Sequence, residues 1–320
     1  MFLKHHILYS VCFVWLILSS TVNAAFYGVV THGSYGRNSS WYQPPSYGEE
    51  NFFSELAKQA EKQGVSELVS FSWSGDSGFP KPAEKSLKEH LRAAEDLADL
   101  ILKKTPDMPA FYVGHSNGGV IGMLASHMLF NPHHWRGKEA PKLFKDFKTP
   151  LSKSDQRCRV LIQQVVLARQ QKFTAQDPQV KIGQLILLAT PHNKYLYQAN
   201  MAVVGTVSAI SSLGDGVAKT FSGSSRMYEP AKDSLNVRIT LQTHNLGKVQ
   251  PWHTGLMTIA VARSILTIAR DAVKKLQLNR HALDTVLGVD VLIDDAGADP
   301  SMAIIKNINR TPFKPSGSGL

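Results

Sequence analysis

An apolar, β-prone run at Ala110-Phe111-Tyr112-Val113 passes without a spacer into Gly114-His115-Ser116-Asn117-Gly118. Gly119-Val120-Ile121-Gly122-Met123-Leu124-Ala125 then opens a helical run straight out of it. No feature of the chain restricts its fold more. A strand that turns directly into a helix must lay that helix across a sheet, and so tight a turn strains the backbone of the residue at its tip, here Ser116. Residues two away on either side approach too closely for side chains, which gives Gly114 and Gly118 a steric reason to be glycine. This is the one Gly-x-Ser-x-Gly in the chain.

The surrounding sequence repeats the same strand-then-helix rhythm. Phe26 to Thr31 is β-rich and stops at Gly33, and Asn51 to Lys62 places Phe52, Phe53, Leu56 and Ala60 on one helical face. Glu67 to Trp73 predicts a second strand, and Leu87 to Leu102 a helix with Leu87, Leu91, Ala94, Leu97 and Ala98 on one side. After the Ser116 turn the pattern predicts a helix around Val160 to Gln170, strands at Gln184 to Ala189 and Val237 to Gln242, and a long helix from Leu256 to Leu276. Strands separated by helices imply parallel β-α-β units and a buried sheet, an α/β architecture.

The first residues stand apart from this fold. Lys4, the apolar run Ile7 to Leu18 and the small-x-small Val22-Asn23-Ala24 have the layout of a secretory signal over residues 1–24, with a retained anchor as the other reading. Cleavage after Ala24 would send the protein to a periplasm or outside the cell. It would take the formal charge from +10 to +9 and remove Cys12, leaving Cys158 without an intramolecular partner. The basic residues are scattered rather than clustered with aromatics, so nucleic acid is not expected as a partner; a solvated basic surface or an anionic membrane surface is.

Within the mature domain, residues 25–310, two stretches break the rhythm. Residues 131–152 are polar and basic with three prolines, which suits a surface insertion. Residues 194–226 are rich in Ala, Val, Ile, Leu and Gly, and Val203, Val204, Val207, Ile210, Leu213 and Val217 fit one apolar helical face interrupted at Gly205, Gly214 and Gly216. Two readings of that face stand: a lid or cap hinged at glycines, or a helix packed on the core. Residues 311–320 hold Pro, Gly and Ser in excess and read as a flexible tail.

Three motifs in order, His32-Gly33 after the first strand, the turn at Ser116, and Ala189-Thr190-Pro191-His192 after a later strand, make the chain resemble the α/β-hydrolase family in its lipase and esterase branch over about residues 26–275. The resemblance implies the α/β-hydrolase fold, a Ser116 nucleophile, and an oxyanion hole built from the backbone N–H groups of Asn117 and Ser34. Negative charge grows on a carbonyl oxygen as serine attacks it, so such donors are what acyl transfer requires. Serine also needs a base. His253, after the last recognised strand, is best placed, with His244, His192 and His32 as competitors that line or shape the site.

The acid is less legible. The loop expected to carry it, Thr243 to Trp252, holds no Asp or Glu, and Asn245 occupies the neighbourhood. Among Glu139, Asp146, Asp155, Asp177, Asp215, Glu229 and Asp233, the loop after the preceding strand favours Asp215, ahead of Asn245 and Asp233. Asp76 reads as a turn residue that could face the site. His127, His133 and His134 lack a carboxylate at ligand spacing, so no metal and no cofactor is expected. The expectation is a secreted hydrolase of carboxylic esters, its substrate an ester or lipid. A thioesterase or amidase on the same machinery and a lipid- or acyl-binding pseudoenzyme without a triad acid are the alternatives.

Overall fold

The computed structural model describes residues 27–34, 38–73, 83–104, 109–130, 180–190, 199–217, 234–243, 247–278, 285–294 and 304–312. The signal segment, the 131–152 insertion, the helix expected near Val160, and Asp76, His192, Asp233, His244 and Asn245 lie outside them.

Among the described residues nine strands form one sheet: β1 (Tyr27–Thr31), β2 (Glu67–Phe71), β3 (Ala110–His115), β4 (Ile182–Leu188), β5 (Val204–Ser211), β6 (Ser234–Thr243), β7 (Gly247–Val249), β8 (Thr285–Asp294) and β9 (Ile304–Pro312). Their order across the sheet is β2-β1-β3-β4-β5-β6-β8-β9, with β7 paired to β6. Pairings from β2 through β8 are parallel, and β7 and β9 join antiparallel. Four helices complete the described fold: α1 (Phe52–Glu61), α2 (Ala83–Lys104), α3 (Asn117–Phe130) and α4 (Ile259–Leu278). The chain is thus an α/β protein with a mostly parallel sheet.

Period-two alternation divides each central strand between two cores. Val30, Phe111, Val113, Ile186, Leu188 and Ile210 face the layer of α1 and α4. Val29, Tyr112, Leu185, Leu187, Val207 and Ala209 face the layer of α2 and α3. Both sheet faces are therefore dry, as parallel sheets require. Asn51 caps α1 in a reciprocal box with Ser54 (2.9 Å and 3.0 Å), and its amide also donates to the carbonyls of Ser40 and Gln43. That ties Trp41 and Tyr42, in a short turn before the helix, into the core.

Three expectations are corrected. The apolar run predicted as a helical face from Val203 to Val217 is strand β5 over Val204–Ser211, paired in parallel with β4 and β6. Gly205, Thr206 and Ser208 interrupt the apolar run of this strand and leave Val203, Val204, Val207 and Ile210 at intervals of one and three, so a helical count matches it by accident. No lid can include these residues, and Gly205 is a strand residue, not a hinge. Second, the sheet does not end near Gln242: β8 and β9 extend it, and Thr311 and Pro312, expected in the flexible tail, pair with Val286 and Thr285. Gly288 and Asp290 interrupt the apolar run of β8 and hide it. Third, the last long helix starts at Ile259, with Leu256 buried in the turn before it.

Candidate active site

Strand order decides where a site can form. From β1 the chain crosses to β2 on one side, then returns past β1 to β3 and continues the other way. The ends of β1 and β3 therefore part around a crevice, the switch point where ligands sit in open α/β sheets. Gly33 and Ser34 follow β1, and Ser116 follows β3.

Ser116 has φ 51°, a left-handed conformation for a residue with a Cβ. The strain is held from several sides. Its N–H donates to the Leu188 carbonyl at 2.8 Å, and its own carbonyl accepts from Gly119 N–H at 3.0 Å. A methyl on Gly118 would stand 2.5 Å from the His32 carbonyl oxygen, and one on Gly114 would stand 2.6 Å from the Gly119 nitrogen. Thr190, of the Ala189-Thr190 motif, packs on Gly119 and turns its hydroxyl toward the Gly114 carbonyl at 3.3 Å. Helix α3 starts at Asn117, so the positive end of its dipole lies beside the serine.

His32 is fully buried and its tautomer is fixed by its partners. The backbone N–H of Trp73 can only donate, so His32 Nε2 accepts from it at 3.2 Å. Nδ1 then carries the proton and donates to the Gly33 carbonyl at 2.6 Å. In a trans peptide the carbonyl and the following N–H point oppositely, so holding the Gly33 carbonyl on the His32 side aims Ser34 N–H away from it. Trp73 stacks on the His32 ring (5.5 Å, 8°) and donates its indole N–H to the His32 carbonyl at 2.9 Å; Tyr42 leans on the same ring at 4.7 Å. A methyl on Gly33 would come within 2.7 Å of Ser116 Cβ. The Asn117 amide donates to Ser34 Oγ at 2.7 Å, joining the two residues expected to supply the oxyanion donors.

The structure brings Asp215 and His253 together. Asp215, 1% exposed, accepts a hydrogen bond from His253 Nδ1 at 3.0 Å. A carboxylate accepts only, so a proton sits on Nδ1, and it is Nε2 that carries the lone pair in the neutral ring. Asp215 follows β5 and His253 follows β6, one strand later. The loops interlock through glycines: a methyl on Gly214 would strike the Gln250 carbonyl, and one on Gly216 the Trp252 ring. These glycines permit close approach of the two loops. Leu213 and Trp252, on the same two loops, are 51% and 56% exposed.

His115 joins the elbow to this pair. Its Nε2 lies 3.1 Å from the His253 carbonyl, and since a carbonyl accepts, Nε2 carries the proton. The two rings are 4.8 Å apart, and Trp41 meets His115 edge-on at 5.7 Å. Burial, then the neighbouring His253, pushes the His115 imidazole down to about 3. Among the described residues no hydrogen bond joins Ser116 Oγ to His253; the link between them runs through His115.

No protein-family model matches the chain, and no curated protein shows significant similarity to it. Among the described residues, no group of three or more His, Cys, Asp or Glu could hold a metal ion, and no helix is long and apolar enough to cross a membrane. His115, Trp73, Tyr42 and Trp252 escaped the sequence reading because their roles arise from contacts across as many as 138 residues of chain.

Proposed function

We propose that this chain is a serine hydrolase of α/β-hydrolase fold that cleaves carboxylic esters through an acyl-enzyme. The observation that carries the reading is the buried Asp215–His253 hydrogen bond, 3.0 Å long, on the loop tethered to the strained Ser116 turn. Ser116 Oγ attacks the ester carbonyl while His253 Nε2 takes its proton. Asp215 holds the ring in the Nδ1–H tautomer and stabilises the imidazolium. Charge on the tetrahedral oxygen meets the N–H groups of Asn117 and Ser34. Protonation of the leaving alcohol by His253 frees it, and water then repeats the cycle on the acyl-enzyme.

Asp215 beside His253 supplies the acid whose apparent absence motivated the pseudoenzyme alternative. Thioesters and amides would pass through the same intermediate, so leaving-group choice lies with the crevice walls. Leu213 and Trp252, apolar and exposed beside the dyad, favour a substrate with an acyl chain. Lys4, the Ile7 to Leu18 run and Val22-Asn23-Ala24 support export.

The test is a chain-length series of p-nitrophenyl esters on wild type and Ser116→Ala. The variant should lose at least about 10³-fold in turnover with its circular dichroism unchanged. Retention of more than about a tenth of wild-type turnover removes Ser116 as nucleophile.

A further inference from the structure

We infer that His115 is a positioning residue: its neutral Nε2–H, bonded to the His253 carbonyl, is the tether that sets the base loop at the nucleophile's depth. The inference rests on the hydrolase reading. Three loops meet at this ring. His115 is covalently next to Ser116, its Nε2 is 3.1 Å from the His253 carbonyl, and a methyl on Gly33 would stand 3.1 Å from its Nδ1. Trp41 and the His253 ring close two further sides. The ring is 5% exposed, so solvent offers no substitute donor for the His253 carbonyl.

The tether matters because the Asp215 hydrogen bond holds the His253 ring from one side. Asp215 orients the His253 imidazole from β5, but nothing in that contact fixes its height relative to the elbow. A bond from the residue beside the nucleophile to the backbone of the base supplies that second coordinate. His115 performs it only as the Nε2–H tautomer. The groups facing it are His253, Asp215 and His32, and its buried ring stays neutral across the range in which His253 must act as a base.

A misplacement of about 1 Å in a catalytic group can cost about 10²-fold, and that sets the expected scale. His115→Phe keeps an aromatic ring against Trp41 but has no donor; kcat should fall about 10²-fold with KM within about twofold. His115→Gln restores an N–H and should recover at least about tenfold of the loss. Unchanged kcat in folded His115→Phe, or a folded Gln variant no better than Phe, overturns the tether. Should His115→Phe fail to fold, ¹⁵N-histidine spectra of the wild type decide. A slowly exchanging Nε2–H on a ring that does not titrate from pH 5 to 8 supports the tether, and an Nδ1–H tautomer or a titrating ring overturns it. Ser116→Ala in the same assay separates the two claims. Lost turnover there with unchanged His115→Phe sinks the tether alone, whereas retained turnover sinks the hydrolase reading beneath it.

Discussion

His90→Phe should make the protein markedly less sensitive to acid. His90 lies on α2, 4% exposed, edge-on to Trp73 at 5.1 Å, with Nδ1 making no hydrogen bond among the described residues. Burial lowers its pKa from the ordinary 6.5 to about 4. Between those values the unfolded chain binds a proton that the native protein refuses. The stabilisation from a neutral His90 is therefore complete above pH 6.5 and is lost as pH falls toward 4. A gap of that size, at about 1.4 kcal/mol per pH unit, amounts to roughly 3 kcal/mol. Phenylalanine keeps a ring against Trp73 and removes the proton site. It also removes a buried unsatisfied nitrogen that costs about 1–3 kcal/mol, so the variant should be at least as stable as wild type at pH 7. Urea unfolding of both proteins from pH 7 to 4 provides the measurement. The variant's advantage should grow by about 3 kcal/mol over that range. His115, also held neutral by burial, contributes to both proteins and cancels in the difference. Parallel stability curves would refute the reasoning. The effect reaches the site because Trp73, which packs on His90, also stacks on His32 behind the Gly33–Ser34 peptide.

Further outcomes follow from the interlocked loops and from the dyad. Gly214→Ala should reduce kcat more than Gly216→Ala, since the first methyl meets the Gln250 backbone carbonyl and the second the ring of a half-exposed Trp252; adding Trp252→Ala should restore Gly216→Ala but not Gly214→Ala, and equal rescue would contradict this. Asp215→Asn should lower kcat by about four orders of magnitude with little change in KM, because an amide can favour the wrong His253 tautomer, and a loss under about tenfold in steady-state kinetics would remove Asp215 from the dyad. Trp252→Ala should weaken hydrolysis of long-chain p-nitrophenyl esters more than short ones, and a uniform loss would show that its exposed ring does not meet the acyl chain.

The early strands were legible as unbroken β-prone runs and the early helices by their period: Phe52, Phe53, Leu56 and Ala60 repeat on a helix, and Asn51 caps it. Strand β5 was not, because Gly205, Thr206 and Ser208 break its apolar run and leave Val203, Val204, Val207 and Ile210 at helix-like spacing. That single miss propagated. With β5 read as a helix, Val237 to Gln242 is the strand after β4 and Thr243 to Trp252 the loop expected to carry the acid, so Asp215, ranked first, reads as a displaced acid. Restoring β5 puts Asp215 after one strand and His253 after the next, so the empty loop is no anomaly. Ser116, Gly33, Gly114 and Gly118 were readable from local steric demands alone. The tautomers of His32, His115 and His253 were not, since each is set by a partner distant in sequence.

Labelling with a fluorophosphonate, followed by mass mapping of the modified peptide, tests the central claim most directly, because only an activated serine reacts. The account predicts one stoichiometric adduct on Ser116, absent in Ser116→Ala and strongly slowed in His253→Ala and Asp215→Asn. An unlabelled folded protein, or an adduct on another serine that persists in Ser116→Ala, would contradict it.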